Sequence, residues 1–169
     1  IKKILKIKKI GHSGTLDPIA SGILGIGIGE ATKSIPFFSK KKEYKFEITF
    51  GESKDTDDIS GKTTKTSEII PSIEEISNCL NEFIGNISQV PPNYSAVKVN
   101  GRRAYKLARN DINFELKEKK IEIYSLKCTA QVGPSTFSFI AECSSGTYIR
   151  SLARDIGIKL NTLGHISYL

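Results

Sequence analysis

Gly11-His12-Ser13-Gly14-Thr15-Leu16-Asp17-Pro18 sets two glycines, two hydroxyls, an imidazole and a carboxylate into one short stretch. The glycines admit backbone conformations closed to other residues and clear room for a ligand. Pro18 fixes its own φ and biases Asp17 toward an extended conformation, which holds the carboxylate in one place. Composition alone reads the stretch as an Asx-type turn in which Asp17 bonds nearby backbone amides. Reading it as a site requires partners from elsewhere in the chain.

Working outward, Ile1, Ile4, Leu5 and Lys8 to Ile10 fit the tail of a helix with lysines on its open face. On the other side, Gly22 to Gly29 alternates glycine with Ile and Leu, which predicts a buried strand where another backbone comes close. Its GxG lacks the full GxGxxG opening a helix, so a dinucleotide fold is set aside. Glu30 to Ser39 predicts a short helix disturbed at Pro36. Lys40 to Phe50 alternates as a strand, with Tyr44, Phe46, Ile48 and Phe50 on one side. Spacing makes Tyr44 a core-facing aromatic, while its basic flank suits stacking on a base. Gly51 to Gly61 is a polar, acidic loop. Its Asp55, Asp57 and Asp58 lack the glycine and glutamate of a calcium loop at the required offsets, so no metal is assigned.

Farther along, Ser72 to Ile84 predicts a helix with Ser72 and Glu75 as a capping box, an apolar face of Ile73, Ile76, Leu80, Phe83 and Ile84, and Gly85 ending it. Val90 to Arg103 is extended, with a turn at Asn100-Gly101, and a short basic helix follows over Ala104 to Asn110. Lys98, Arg102, Arg103, Lys106 and Arg109 form either a phosphate-contacting arm or a solvated hairpin. Glu118 to Val132 and Thr136 to Cys143 predict two strands of an antiparallel hairpin closed at Gly133-Pro134. Gly146-Thr147 marks a strand-to-helix turn with Thr147 as N-cap, and Ile149, Leu152, Ala153 and Ile156 recur at helical spacing. Arg150 then sits in the first turn, where the helix dipole favours acids, so a carboxylate or phosphate partner is needed to account for it. His165 to Leu169 reads as an apolar strand.

The 169 residues suffice for one domain with a real core. With 25 Lys+Arg against 18 Asp+Glu the net charge is +7, which favours a polyanion such as nucleic acid or an anionic membrane surface. Cys79, Cys128 and Cys143 show no CxxC spacing, and His12 and His165 do not pair as metal ligands, arguing against zinc and disulfides. No apolar run approaches the roughly 20 residues of a membrane span, and no signal peptide is visible. A reduced, soluble, cytoplasmic protein without a membrane partner is expected.

Three separated segments together resemble the tRNA pseudouridine synthase B family: Gly11 to Pro18, Lys42-Glu43-Tyr44 leading into a strand, and Ser145-Gly-Thr-Tyr-Ile-Arg150. Pro91 to Lys98 with Gly101 to Tyr105 is similar to a fourth block of that family, and His165 to Leu169 to a fifth. The resemblance spans nearly the whole chain. It implies an α+β fold on a mixed, largely antiparallel sheet flanked by helices. It also implies cofactor-free and metal-free isomerisation of a uridine in the T loop of tRNA to pseudouridine. By resemblance, Asp17 is the nucleophile, Tyr44 the aromatic that stacks on the flipped base, and Arg150 the partner of the nucleophile. Tyr148 matches a neighbouring active-site tyrosine, His12 a histidine near the extruded base, and Leu169 an apolar residue near the site. Residues 91–117 match a basic RNA-contacting insertion within one catalytic domain, 1–169. These roles agree with chemistry: a nucleophilic carboxylate has to be held in place, and a base inside a folded loop has to be extruded onto an aromatic. Family members usually carry a strand and a Lys-Pro-x-Gly segment ahead of these blocks, and run on past Leu169 into basic residues and often a small RNA-binding domain. A chain truncated at both ends is therefore expected, and it should be monomeric. Ser13 stands where Thr is common and keeps the hydroxyl. The rival reading is a non-catalytic tRNA-folding domain; the joint presence of Asp17, Tyr44 and Arg150 separates the two, because binding alone does not require it. A sugar- or nucleotide-binding protein using Gly22 to Gly29 is a third, weaker reading.

Overall fold

The glycine alternation after Gly22 serves a close approach of backbones. A computed structural model describes residues 1–169, which divide into two units, 1–40 and 41–169. In the first, β1 (Ile10–His12) pairs antiparallel with β2 (Ile26–Ile28), Gly11 opposite Gly27. A 3-10 helix, Gly29–Phe37, packs against both. A Cβ on Gly27 would stand 2.9 Å from the Ala31 carbonyl oxygen, so this packing exists only because the position is bare. The strand expected over Gly22 to Gly29 is thus shorter, and Ile26 and Ile28 point outward at 37% and 42% exposure. Pro36 lies inside the 3-10 helix, as the short disturbed helix anticipated. The helix expected before Ile10 is absent: turns run over 2–6, Lys6 has φ +51°, and Ile1, Ile4 and Leu5 are exposed. So short an amphipathic segment does not hold a helix in water without a surface to pack on.

The second unit is built on β3 (Lys41–Phe50), whose burial alternates as its sequence does. β4 (Glu52–Lys54) and β5 (Thr63–Thr66) form a small hairpin. α1 (Ile73–Leu80) starts at the Ser72–Glu75 capping box: the Glu75 amide donates to Ser72 Oγ, and the Ser72 amide to Glu75 Oε2. The α-helix stops at Leu80, and a 3-10 turn, Asn81–Phe83, carries the chain to Gly85, which opens β6 (Gly85–Gln89) rather than ending the helix. β7 (Lys98–Val99), β8 (Arg102–Arg103) and α2 (Ala104–Ala108) follow. β9 (Lys119–Gln131) and β10 (Thr136–Ser144) are the expected long hairpin. α3 (Ile149–Lys159) and β11 (Gly164–Tyr168) complete the chain.

The main sheet runs β11-β3-β10-β9-β6, antiparallel at every pairing, with one parallel bridge from Asp58 to Ile166. This is the expected α+β class. Phe46 stacks on Phe139 with ring centroids 5.4 Å apart, and Phe50 meets Phe137 edge-on at 5.8 Å. Ile76 and Leu80 from α1, and Leu152 and Ile156 from α3, join them in the core, each burial stabilising by about 1.5–3 kcal/mol. α3 lies on β11 through two glycines: a Cβ on Gly157 would meet the Gly164 amide at 2.6 Å, and one on Gly164 the Ala153 carbonyl at 2.8 Å.

Candidate active site

α3 opens without the usual cap. Its N-cap is Tyr148, at φ −100° and ψ 109°, whose own side chain makes no capping bond. Thr147, the expected cap, instead donates its hydroxyl to the Ser144 carbonyl at 2.9 Å, because Gly146 at φ +91° turns it back toward β10. Two residues into the helix region, Arg150 is 4% exposed. Its Nη1 donates to the Thr56 carbonyl at 3.0 Å and lies 3.5 Å from Asp58 Oδ2, while Nη2 donates to the Tyr94 carbonyl at 3.2 Å. The carboxylate called for by an arginine in a first helical turn is present, in the loop between β4 and β5.

Asp58 is itself buried, at 3% exposure. Its Oδ1 accepts from Thr56 Oγ1 at 2.8 Å, from the Ser60 amide at 3.0 Å, and from the Ser60 hydroxyl. Taking two charges out of water is costly, and it is tolerated where further hydrogen bonds satisfy the remaining lone pairs and protons, as here. A second pair lies beside it. Arg154 bonds Asp57 and Asp155, each at 3.0 Å, and donates to the Val90 carbonyl at 2.9 Å. Burial pushes the Asp57 carboxyl up to about 6, with Arg154 and Arg150 pulling it back down. Burial also raises the Asp155 carboxyl against the pull of Arg154.

Tyr44 is half-buried on β3, on the same face as Phe46 and opposite Ala141 in the register. Tyr148 is half-buried at the N-cap, and Leu169 is 8% exposed just past β11. These three and Arg150 belong to the second unit. His12 and Asp17 belong to the first. His12 is exposed at the end of β1, and its Nδ1–H donates to the Gly14 carbonyl. Asp17 is half-buried, and its backbone carbonyl accepts from the Ala20 amide at 3.0 Å, which closes a backbone turn over 17–20.

The basic arm forms a hairpin whose central residues, Asn100 and Gly101, have φ of +49° and +80°. Positive φ at both is what a type I′ turn requires, and Asn-Gly is its favoured sequence. Ala104 and Leu107 bury the inner side of α2, leaving Lys98, Arg102, Arg103, Lys106 and Arg109 exposed. A cavity of about 360 Å³ opens among Arg102, Arg103, Lys106 and Asn110. Three cations around one concavity suit a phosphate. No group of three or more His, Cys, Asp or Glu side chains is gathered as metal ligands, and no helix is long and apolar enough to cross a membrane.

Sequence reasoning missed Asp57, Asp58 and Arg154, having assigned the two aspartates only to a polar loop. Adjacent acids in a short loop are common surface features, and only the fold, which brings Arg150 and Arg154 to them from about 94 residues away, reveals their burial. Gln89 was missed as well. It carried one weak signal, an amide side chain shortly before a Pro-Pro pair.

Set beside known proteins, residues 2–149 match the profile of the TruB family pseudouridylate synthase (N terminal domain). The tRNA pseudouridine synthase B of Ehrlichia ruminantium (strain Gardel) is 48% identical over 171 aligned residues, covering 100% of this chain and 58% of that protein. The protein of the same name from Bradyrhizobium diazoefficiens is 48% identical, covering 100% of this chain and 49% of the relative. The chain thus spans about half the length of the curated relatives it matches. Among solved structures, a chain from a Cbf5-Nop10-Gar1 complex superposes with a TM-score of 0.67 at 29% identity, covering 99% of this chain and 40% of the other. A chain from an H/ACA RNP bound to a substrate RNA containing 2′-deoxyuridine gives 0.65 at 25% identity, with 99% and 39% covered.

Proposed function

Because this chain belongs to the TruB family of pseudouridylate synthases, we propose that it is the catalytic part of an enzyme that converts a uridine in the T loop of tRNA to pseudouridine. The observation that carries the proposal is the match across the whole chain to tRNA pseudouridine synthase B proteins at 48% identity. The buried guanidinium at the start of α3 supports it, because a charge so costly to bury is there held ready by surrounding acceptors.

In the proposed reaction the bond from the ribose to N1 of uracil breaks and a bond from the same ribose carbon to C5 forms. The proton on C5 is lost and N1 ends protonated, so atoms balance without a redox partner. Asp17 acts as the nucleophile. Arg150 pairs with its carboxylate, and Tyr44 stacks on the extruded base, offsetting part of the few kcal/mol that unstacking costs. Tyr148 serves as the neighbouring active-site tyrosine, His12 contacts the RNA near the extruded base, and Leu169 is the apolar residue near the site. The basic arm, within residues 91–117, contacts phosphates of the T arm, since folded RNA is read largely by shape and backbone.

The test is primer extension for pseudouridine on a T-arm stem-loop. The wild-type chain is expected to modify the RNA, and Asp17→Asn to bind it with unchanged affinity and leave no pseudouridine. Substantial turnover by Asp17→Asn removes Asp17 as nucleophile. A wild-type chain that refolds tRNA and leaves it unmodified favours the non-catalytic folding domain instead.

A further inference from the structure

Gln89 stands at the end of β6 with 2% of its surface exposed. Its side chain makes two bonds to a single backbone residue 59 positions away: Oε1 accepts from the Tyr148 amide at 2.8 Å, and Nε2 donates to the Tyr148 carbonyl at 3.1 Å. An amide N–H only donates and a carbonyl only accepts, so the orientation of the Gln89 amide is fixed by its partner. The Tyr148 carbonyl also takes the first helical bond, from the Leu152 amide at 3.0 Å. Gln89 therefore holds both polar groups of the residue from which α3 springs.

Tyrosine is a poor choice for an N-cap. Ser, Thr, Asp or Asn there would bond the free amides and stabilise the helix by about 1 kcal/mol. The chain forgoes that gain and places an aromatic side chain at the position, two residues ahead of the buried Arg150. Departures from local preference without a compensating packing gain cluster where function constrains a residue. The segment after Gln89 then runs along the same helix. The Val90 carbonyl accepts from Ser151 Oγ at 2.7 Å and from Arg154 Nη2 at 2.9 Å, and the Tyr94 carbonyl accepts from Arg150 Nη2. Gln89 is the first contact of this strap, and its side chain engages both backbone groups of Tyr148.

We infer that Gln89 is a positioning residue for the reaction: its amide fixes the backbone of Tyr148, and so sets both the Tyr148 ring and the Arg150 guanidinium relative to the reacting uridine. The inference rests on the function proposed above. Gln89 touches no substrate. It acts by denying the start of α3 the rotation that an uncapped helix end would otherwise have, and displacements of an ångström in such groups cost up to about a hundredfold in rate.

Two variants test it, by single-turnover rates and RNA affinity on the T-arm stem-loop, at temperatures well below each protein's melting point. Gln89→Met keeps the buried volume and loses both bonds. It should bind RNA within about twofold of wild type, while the rate of the chemical step falls about tenfold or more. Gln89→Glu carries the sharper readout. A protonated carboxyl offers one donor and one acceptor, as the amide does, whereas the ionised form turns a lone pair on the Tyr148 carbonyl. Burial favours the protonated form, so the rate of Gln89→Glu relative to wild type should climb as pH is lowered. A residue needed only for stability would leave that ratio flat once the protein is folded. If wild type modifies the RNA and either folded variant matches its rate at every pH, or loses only affinity, the positioning role is wrong and the proposed function stands. If wild type leaves the RNA unmodified, the proposed function falls and takes the inference with it.

Discussion

The partners of Arg150 include three oxygens, from residues 56 and 94 positions earlier in the chain and from the Asp58 carboxylate. Removing the cation leaves Asp58 buried with only neutral donors. Arg150→Met is therefore expected to cost about 3–5 kcal/mol, read as a lowered urea midpoint, and adding Asp58→Asn should recover part of it. Arg150→Lys cannot rescue, because one ammonium on a single stem does not span three separated acceptors. Two other groups give opposite pH signatures. The Asp57 carboxyl is raised from 3.8 to about 6, so between about pH 4 and 6 the folded state binds more protons than the unfolded one. Its contribution is full below that window and is lost as pH rises through it, and Asp57→Asn should abolish this falling slope. Burial lowers the His165 imidazole below 6.5, while its Nδ1–H donates to the Glu52 carbonyl at 3.1 Å. Stability from a neutral His165 is present above about 6.5 and is lost as pH falls, so His165→Asn should flatten the acid side of the stability profile. Chemical denaturation of the three proteins across pH 4–8 separates the slopes.

Elements show where local signals suffice. β3, β9 and β10 were legible because alternation is written into their residues, and α1 because Ser72 and Glu75 form a reciprocal cap. Ser72→Ala should accordingly lower stability by about 1 kcal/mol. The arm's turn was legible from Asn100-Gly101 alone. The expected helix before Ile10 failed because periodicity says which face a helix would bury and nothing about whether a surface exists to receive it. Thr147 misled because a hydroxyl at a strand-to-helix turn can bond backward as well as forward, and Gly146 decides which. Gly157 offers a test at this scale. In an open helix, glycine to alanine stabilises by about 1 kcal/mol. Here the new Cβ would sit 2.6 Å from the Gly164 amide and 2.8 Å from the Leu163 carbonyl carbon, both backbone atoms. Gly157→Ala is expected to reverse the sign and destabilise by about 1–3 kcal/mol, measured by thermal or urea unfolding.

At the scale of the molecule, the net charge of +7 pointed to a polyanion, and the arm concentrates five of the cations on one hairpin and helix. If these contact phosphates, replacing Arg102 and Arg103 by Ala should weaken RNA binding at all sequences and reduce the slope of log affinity against log salt by about 1 per lost contact. An unchanged slope would return the arm to a solvated hairpin. The residues proposed for catalysis were named from local motifs through the family resemblance. Their supports were not: Asp58, Gln89 and the strap at Val90 to Tyr94 meet α3 only through sheet order, and no local pattern states that β3 lies between β10 and β11.

That strand order has a consequence during synthesis. Glu47 on β3 meets Ser167 of β11 only after 120 further residues are made. At about 5–20 residues per second, β3 waits roughly 6–24 s for its second neighbour. Until β10 is made, Phe46, Ile48 and Phe50 form one face of an unpaired strand, and until β11 is made β3 keeps one open edge able to recruit another nascent copy. Lys41, Glu43, Lys45 and Glu47 alternate with those residues and Lys42 flanks them with charge, and so they act as gatekeepers against polysome-bound aggregation, the first four also forming the opposite face of the finished strand.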